Sequence, residues 1–324
     1  MSQVDTNPFK FSDTNKRYHT YDYYLKHRFG HKVAKIPLDC GLSCPNIDGT
    51  AGHGGCIYCS GGSSWGQTRG VLPLEEQYRQ GIEVMKGKWQ TNEYIPYLQA
   101  YSNTHTSPEN LKKILDHVSK FEGAVMIDIA TRADCLENEK IEVLSRISEG
   151  IPLTVELGLQ SSNDETAKRI NRCHSFDVFE DAFYRLRSGA PKVKIGIHII
   201  NGLPGETAED MKNTATSVRN LHPDLLKIHL LHVLKGTPLA SLYESGRYTP
   251  LEKEEYVNIV CDQLEIMPPS IVIERVTGDG LGDLLLAPEW SKKKVSVIND
   301  IDKELAKRDT YQGIFYKTDN FAKE

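Results

Sequence analysis

The sequence predicts an α/β fold built on one long parallel sheet. Apolar runs at 33–39, 94–101, 123–131, 152–160, 192–201, 225–231 and 270–276 alternate with stretches of helical periodicity, the pattern of repeated β/α units. Polar residues cluster where several of these runs end, which is where parallel barrels place their chemistry. No internal repeat or low-complexity linker interrupts the series, so a single barrel is favoured over two domains within the 324 residues. Periodicity alone fits a partial barrel, an open doubly wound sheet or a closed eight-stranded barrel.

Residues 1–32 form a basic, aromatic N-terminal extension. Between 9 and 35 there are seven Lys or Arg and two acids, Asp13 and Asp22, interleaved with Tyr18, Tyr21, Tyr23, Tyr24 and Phe29. Cations beside stackable rings suit nucleic acid, where phosphates meet charge and bases meet rings. An amphipathic segment packed on the barrel has the same composition. Further along, Ser107 followed by Pro108 opens a helix carrying Leu111, Ile114, Leu115 and Val118. Thr249-Pro250-Leu251-Glu252 reads as a capping box starting another. The tail, 281–324, reads as a loop, a helix over 289–309 and a β or coil end.

Composition narrows the class. Hydrophobic content of 39% with 26% charged residues suits a globular protein with a substantial core. With no apolar run of about 18 residues, no membrane-spanning helix is expected. The N-terminus carries no signal-peptide pattern, and seven cysteines without an extracellular cue imply a reducing cytoplasm. The net charge of −5 argues against a surface that is basic throughout. Cys135, Cys173 and Cys261 are scattered and read as small core residues.

The most informative segment is the glycine-rich loop 40–66, in which Cys40, Cys44, Cys56 and Cys59 follow the first strand. Two ligand sets fit it. All four thiolates would close a structural zinc site. Cys44, Cys56 and Cys59 alone would hold three irons of a [4Fe–4S] cluster and leave the fourth open to a small molecule. Zinc knuckles usually pair thiols as CxxC, whereas three residues separate Cys40 from Cys44. A CxxxCxxC motif starting at Cys40 fails because Ile47 stands at its third cysteine.

The Cys44-x11-Cys56-x2-Cys59 spacing, with Tyr58 before the last cysteine, resembles the radical S-adenosylmethionine (SAM) superfamily, in its Cx11CxxC branch related to the Elongator catalytic subunit. The resemblance covers about 33–280. It implies a partial (β/α)6 TIM-like barrel as the core, with the extension before it and a helical tail after it. Cys44, Cys56 and Cys59 would then bind the cluster, SAM would chelate the open iron, and Tyr58 would lie near adenine. After the second strand, Ser102 and Asn103 would accept from the methionine amine. In the stretch 128–134, similar to a "TRPD" motif, Ala130 replaces the acid and Asp128 is its candidate substitute. Gln160 and Arg172 match a ribose contact and a SAM carboxylate ligand twelve residues apart. An arginine suits that task because its fork pairs both carboxylate oxygens. Glu156, an acid in an apolar strand, must find a partner, either the cofactor or a protein group. His198 occupies a ribose-binding position, ahead of a "GLPGET" turn at 202–207, and His232 and Lys235 would face the substrate mouth. No catalytic residue beyond these cofactor contacts is assigned.

More narrowly, the chain resembles the YtqA-type (MnmL) enzymes of tRNA wobble-uridine modification. This implies conversion of a 5-carboxymethylaminomethyl group to a 5-aminomethyl group, by hydrogen abstraction from the glycine-derived methylene, oxidation to an imine and hydrolysis. About 40 residues follow the last matched strand, too few for the acetyltransferase domain of Elongator. The implied partners are tRNA, contacted through Lys16, Arg17, Lys26 and Arg28, and a reductant such as flavodoxin or ferredoxin. Two other readings use the same residues: a radical SAM enzyme for a small metabolite or porphyrin, and a zinc-stapled RNA-binding protein without catalysis.

Overall fold

The computed structural model describes residues 7–60, 72–279 and 282–316. The end of the cysteine loop (61–66), residue 281 and the outer ends of both terminal segments lie outside the described residues.

The seven apolar runs all become strands: β1 (Ala34–Leu38), β2 (Tyr94–Leu98), β3 (Ile127–Thr131), β4 (Leu153–Gln160), β5 (Lys194–Asn201), β6 (Leu225–Leu230) and, after a short β7 (Val233–Leu234), β8 (Val272–Arg275). They pair in parallel in the order β1-β2-β3-β4-β5-β6-β8. Six β/α units and a closing strand therefore make the sheet. Each crossover carries a helix: α2 (Leu74–Lys86), α3 (Pro108–Val118), α4 (Asn138–Ser148), the pair α5 (Asp164–Arg169) and α6 (Phe176–Gly189), α7 (Ala208–Leu221), and the pair α8 (Pro238–Glu244) and α9 (Lys253–Ile266). Side-chain caps fix several starts. Ser107 accepts from Asn110 N ahead of Pro108, Ser175 accepts from Val178 N, and Thr207 shares a reciprocal box with Asp210.

Along β4 the alternation of a strand separates two environments. Val155 and Leu157 join the apolar core under the helices, while Glu156 reaches Lys35 on β1 and Lys227 on β6. Lys35 also pairs with Glu274 on β8. An ion pair between the first and last strands of the order requires the sheet to curl into a partial barrel with a lumen.

The N-terminal segment closes the lower end of that barrel. Thr20 bridges Ile273 of β8, and α1 (Tyr21–Phe29) lays Leu25 against Val33, Ile95 and Met126 at the starts of β1, β2 and β3. Tyr21 donates to Asp128 inside the lumen and packs under Lys35. This corrects two of the four expected tRNA contacts, Lys16 and Arg17. Arg17 is buried and donates to Asp309 and to Thr310 O, while Lys16 pairs with Asp302. Both pairs tie the extension to the tail because the buried charges, Arg17 and Asp302, each require a partner. Only Lys26 and Arg28 of the four stay on the surface, against Asp22 and the Tyr24 hydroxyl.

Two other expectations shift. α9 starts at Lys253 with Glu252 as its cap and no side-chain cap bond. Thr249–Glu252 stays outside the helix, where Leu251 packs under Gly202 and its carbonyl accepts from Trp290. The tail helix divides into a 3-10 turn, Glu289–Lys292, and α10 (Lys294–Lys307), which packs on α9 through Val297, Ile301 and Leu305. Between them and the barrel mouth, β7 pairs antiparallel with β9 (Leu285–Ala287), a ribbon the sequence did not predict.

Candidate active site

The strands end around a cavity of about 300 Å³ at the mouth. Cys44, Cys56, Tyr58 and Cys59 of the cysteine loop line it. So do Ser102 beyond β2, Arg132 beyond β3, Glu156 and Gln160 of β4, Arg172 and His198. Nine of the ten residues expected at the cofactor site thus share one cavity. Cys40 is not among its lining residues; it packs on the main core, where burial pushes its thiol up to about 12.

Asn103 is absent from that lining, although its Oδ1 is buried without a partner. Its Nδ2 donates to the carbonyls of Leu98, Ala100 and Ala130, so the side chain staples the β2 turn to β3 behind the cavity. Asp128, the suggested substitute acid, is also displaced from the cavity: it lies lower in the lumen, paired with Lys35 and Tyr21.

Backbone geometry sets the rest of the wall. The β4–β5 register shifts between Gly158 and Gln160, and Gln160 takes φ 74°. Such a bulge re-aims a side chain. Gln160 and Arg172 then lie over Gly158, where an added Cβ would sit 2.7 Å from Gln160 Nε2 and 3.0 Å from Arg172 Nη2. Glycine is required there for both to approach.

Two guanidiniums define the electrostatics. Arg132 binds Asp134 through two bonds, 2.8 and 2.7 Å, and donates to Arg172 O at 2.9 Å. Its Nη1 is buried without a partner. Arg172, 5% exposed, donates Nη2 to Gly158 O, and its Nε is also unpartnered. Among the described residues no carboxylate lies within ion-pair distance of Arg172. A buried cation in that condition calls for an anion. Tyr58 is held protonated by burial and by the neighbouring Cys56, with Arg172 opposing.

Below the cavity lies a charged layer that strand periodicity did not reveal. Lys35, Tyr97, Asp128, Glu156, His198, Lys227 and Glu274 come from seven different strands. Glu156 is the hub, accepting from Tyr97 Oη at 2.6 Å, from Lys35 Nζ at 2.9 Å, from His198 Nε2 at 2.9 Å and from Lys227. Glu156 therefore has protein partners, and its carboxyl stays well below the usual range: burial alone would raise it, but Lys227 and Lys35 outweigh that. His198 is pushed down to about 4 by burial and by Lys227 and stays neutral. His232 is half-buried beside Gly278 rather than at the cavity wall, and Lys235 is exposed. A charged residue inside each of five apolar strands was the available signal for this layer. Among the described residues no three or more His, Cys, Asp or Glu gather as ligands of one metal ion. In a cubane each thiolate binds a different iron, so its ligands ring a cavity instead.

Residues 48–218 match the profile described as the Radical SAM superfamily, and residues 223–307 match the Radical_SAM C-terminal domain. The chain is 44% identical to the protein YtqA of Bacillus subtilis (strain 168) over 316 residues, 97% of each. It is 27% identical over 158 residues to a tRNA uridine(34) acetyltransferase of Methanocaldococcus infernus, 48% of this chain and 29% of that protein. In fold it is similar to the archaeal Methanocaldococcus infernus Elp3 lacking its N-terminus, with TM-score 0.63, 20% identity, and coverage of 86% of this chain and 64% of that one. This chain spans less than two thirds of either archaeal protein.

Proposed function

The chain belongs to the radical SAM superfamily, and from that premise we propose that it acts on the C5 side chain of the tRNA wobble uridine, converting 5-carboxymethylaminomethyl to 5-aminomethyl. Its cofactors are a [4Fe–4S] cluster and SAM. The cavity suits both: three thiols face two buried guanidiniums that hold unpaired N–H donors. Cys44, Cys56 and Cys59 would bind the cluster, Arg172 the SAM carboxylate, Ser102 the amine, and Gln160 and Tyr58 the nucleoside. When bound, the reduced cluster gives SAM the electron that releases a hydrogen-abstracting carbon radical. The protein's own task is to place the target carbon at the mouth and keep solvent out. Tyr97, Glu156 and His198 form a hydrogen-bonded floor for that purpose.

The observation that carries the substrate reading is similarity to a protein named for tRNA uridine 34, in a chain matched to YtqA along its whole length. A nucleobase on a polynucleotide reaches a cavity at a barrel mouth once it is splayed from its neighbours. Lys26 and Arg28 lie at the opposite end, where a ligand as long as tRNA would touch them as well. A reductant such as flavodoxin or ferredoxin completes the set of partners, and the cytoplasm is the compartment that holds them. Among the described residues no helix is long and apolar enough to cross a membrane.

The test is the nucleoside profile of tRNA incubated anaerobically with the enzyme, SAM and a reductant. The carboxymethylaminomethyl nucleoside should decline as the aminomethyl form appears. SAM cleavage that proceeds with an unchanged profile would redirect the search to small metabolites.

A further inference from the structure

The turn between α5 and α6 clasps the cysteine loop. Asn171, at φ 56°, donates Nδ2 to His53 O at 3.0 Å and Gly55 O at 2.8 Å, and Ile57 N donates to Ile170 O at 3.1 Å. At the centre of the clasp lies Asn46, fully buried. Its Nδ2 donates to Asn171 O at 2.5 Å and to Cys56 Sγ at 3.7 Å, while its Oδ1 accepts from Cys173 Sγ at 2.9 Å. The Asn171 carbonyl fixes which end of the amide is nitrogen, so the N–H side faces Cys56 and the oxygen faces Cys173. Gly52 packs closely on this relay: a Cβ there would lie 2.5 Å from Asn46 Oδ1 and 2.6 Å from Cys173 Sγ. Cys173 itself is exposed and takes φ 66°, a left-handed conformation that a cysteine used only for core packing has no reason to adopt. Cys173 is thus not the small core residue its scattered position suggests.

We propose that Asn46 is a positioning residue that hydrogen-bonds the cluster ligand Cys56, and that Cys173 reinforces it from the surface, so that the relay raises the reduction potential of the cluster. This rests on Cys56 being a ligand, as proposed above. An N–H directed at a ligand sulfur stabilises the more electron-rich, reduced cluster. An amide whose oxygen already accepts a hydrogen bond is the stronger donor at its nitrogen, which gives Cys173 its effect.

The experiment is an EPR-monitored redox titration of the anaerobically reconstituted protein without SAM, after iron and sulfide are assayed. Cys56→Ala should lose the cluster; full loading there would sink the ligand reading and the relay with it. Asn46→Ala should move the potential negative, with about tenfold less reduced cluster at a fixed potential, or about 59 mV for one electron. Cys173→Ala should shift it in the same direction by less, and Cys173→Ser should recover most of that shift. Because Cys173 is exposed, its variants load even if Asn46→Ala does not. A wild-type potential in fully loaded Cys173→Ala overturns the relay.

Discussion

Arg172 offers the sharpest test of the site. It is buried, its Nη2 is tied to Gly158 O, and its Nε has no partner, so the free protein carries an incompletely satisfied guanidinium. Arg172→Ala removes one charged hydrogen bond to a carbonyl, but it also removes a buried unpaired N–H that costs about 1–3 kcal/mol. These terms oppose each other, so the stability of the free protein should change by about 1 kcal/mol or less. Binding should not be spared. Charge-assisted bonds to a carboxylate contribute about 1.5–3 kcal/mol, so losing them should weaken SAM by about 12- to 150-fold. Arg172→Lys keeps the charge without the fork and should fall between. Equilibrium dialysis against SAM, with iron content matched to wild type, reads affinity, and urea denaturation of the same samples reads stability. A SAM Kd within about twofold of wild type for Arg172→Ala would refute the assignment. So would a stability loss above about 3 kcal/mol with affinity preserved, which would make Arg172 a purely structural residue.

Other outcomes follow from the same geometry. Alanine at Cys44, Cys56 or Cys59 should abolish the brown colour and SAM cleavage, whereas Cys40→Ala should keep both; loss of iron in Cys40→Ala alone would restore a four-thiolate set. Arg17→Ala should destabilise the fold by about 1.5–3 kcal/mol through its lost bonds to Asp309 and Thr310 O, seen as a lower urea midpoint, with tRNA affinity of the folded fraction unchanged. Lys227→Met leaves Glu156 and Glu274 with less compensation and should cost about 3–5 kcal/mol; an unchanged urea midpoint would contradict a charged lumen. Burial holds His174, His198 and His232 near 4, so between pH 6.5 and 4 the native state binds fewer protons than the unfolded chain. Stability therefore falls as pH drops through that window, by about 2 kcal/mol per imidazole from pH 7.5 to 5, and denaturation at the two pH values measures it.

The sheet was legible because each strand is an apolar run that needs only local residues to be recognised. Ser107 and Pro108 fix their helix start in the same local way. The α9 start differs because Thr249-Pro250-Leu251-Glu252 satisfies a local cap while Gly202 and Trp290, distant in sequence, engage Leu251 outside the helix. The β7–β9 ribbon pairs two or three residues across a long separation, too few for any periodicity. At the site, the three thiols, Tyr58, Gln160 and Arg172 were visible as a motif in series. Asn103 combines two roles that a motif cannot separate: its Nδ2 staples three carbonyls, while its Oδ1, the atom expected to accept from the amine, is buried without a partner. Lys35 and Lys227 each stand inside an apolar strand, as do Asp128, Glu156 and Glu274. Taken together, one ionisable residue per strand pointed to a charged lumen, but no single strand reveals its partner.

The most direct measurement follows a labelled hydrogen. tRNA carrying deuterium on the glycine-derived methylene of the wobble side chain is incubated with the reconstituted enzyme, SAM and a reductant, and 5′-deoxyadenosine and the nucleosides are analysed by mass spectrometry. A tRNA-directed radical SAM enzyme of the kind proposed yields deuterated 5′-deoxyadenosine in step with the aminomethyl nucleoside. Unlabelled 5′-deoxyadenosine, formed at the same rate with or without this tRNA, would contradict it.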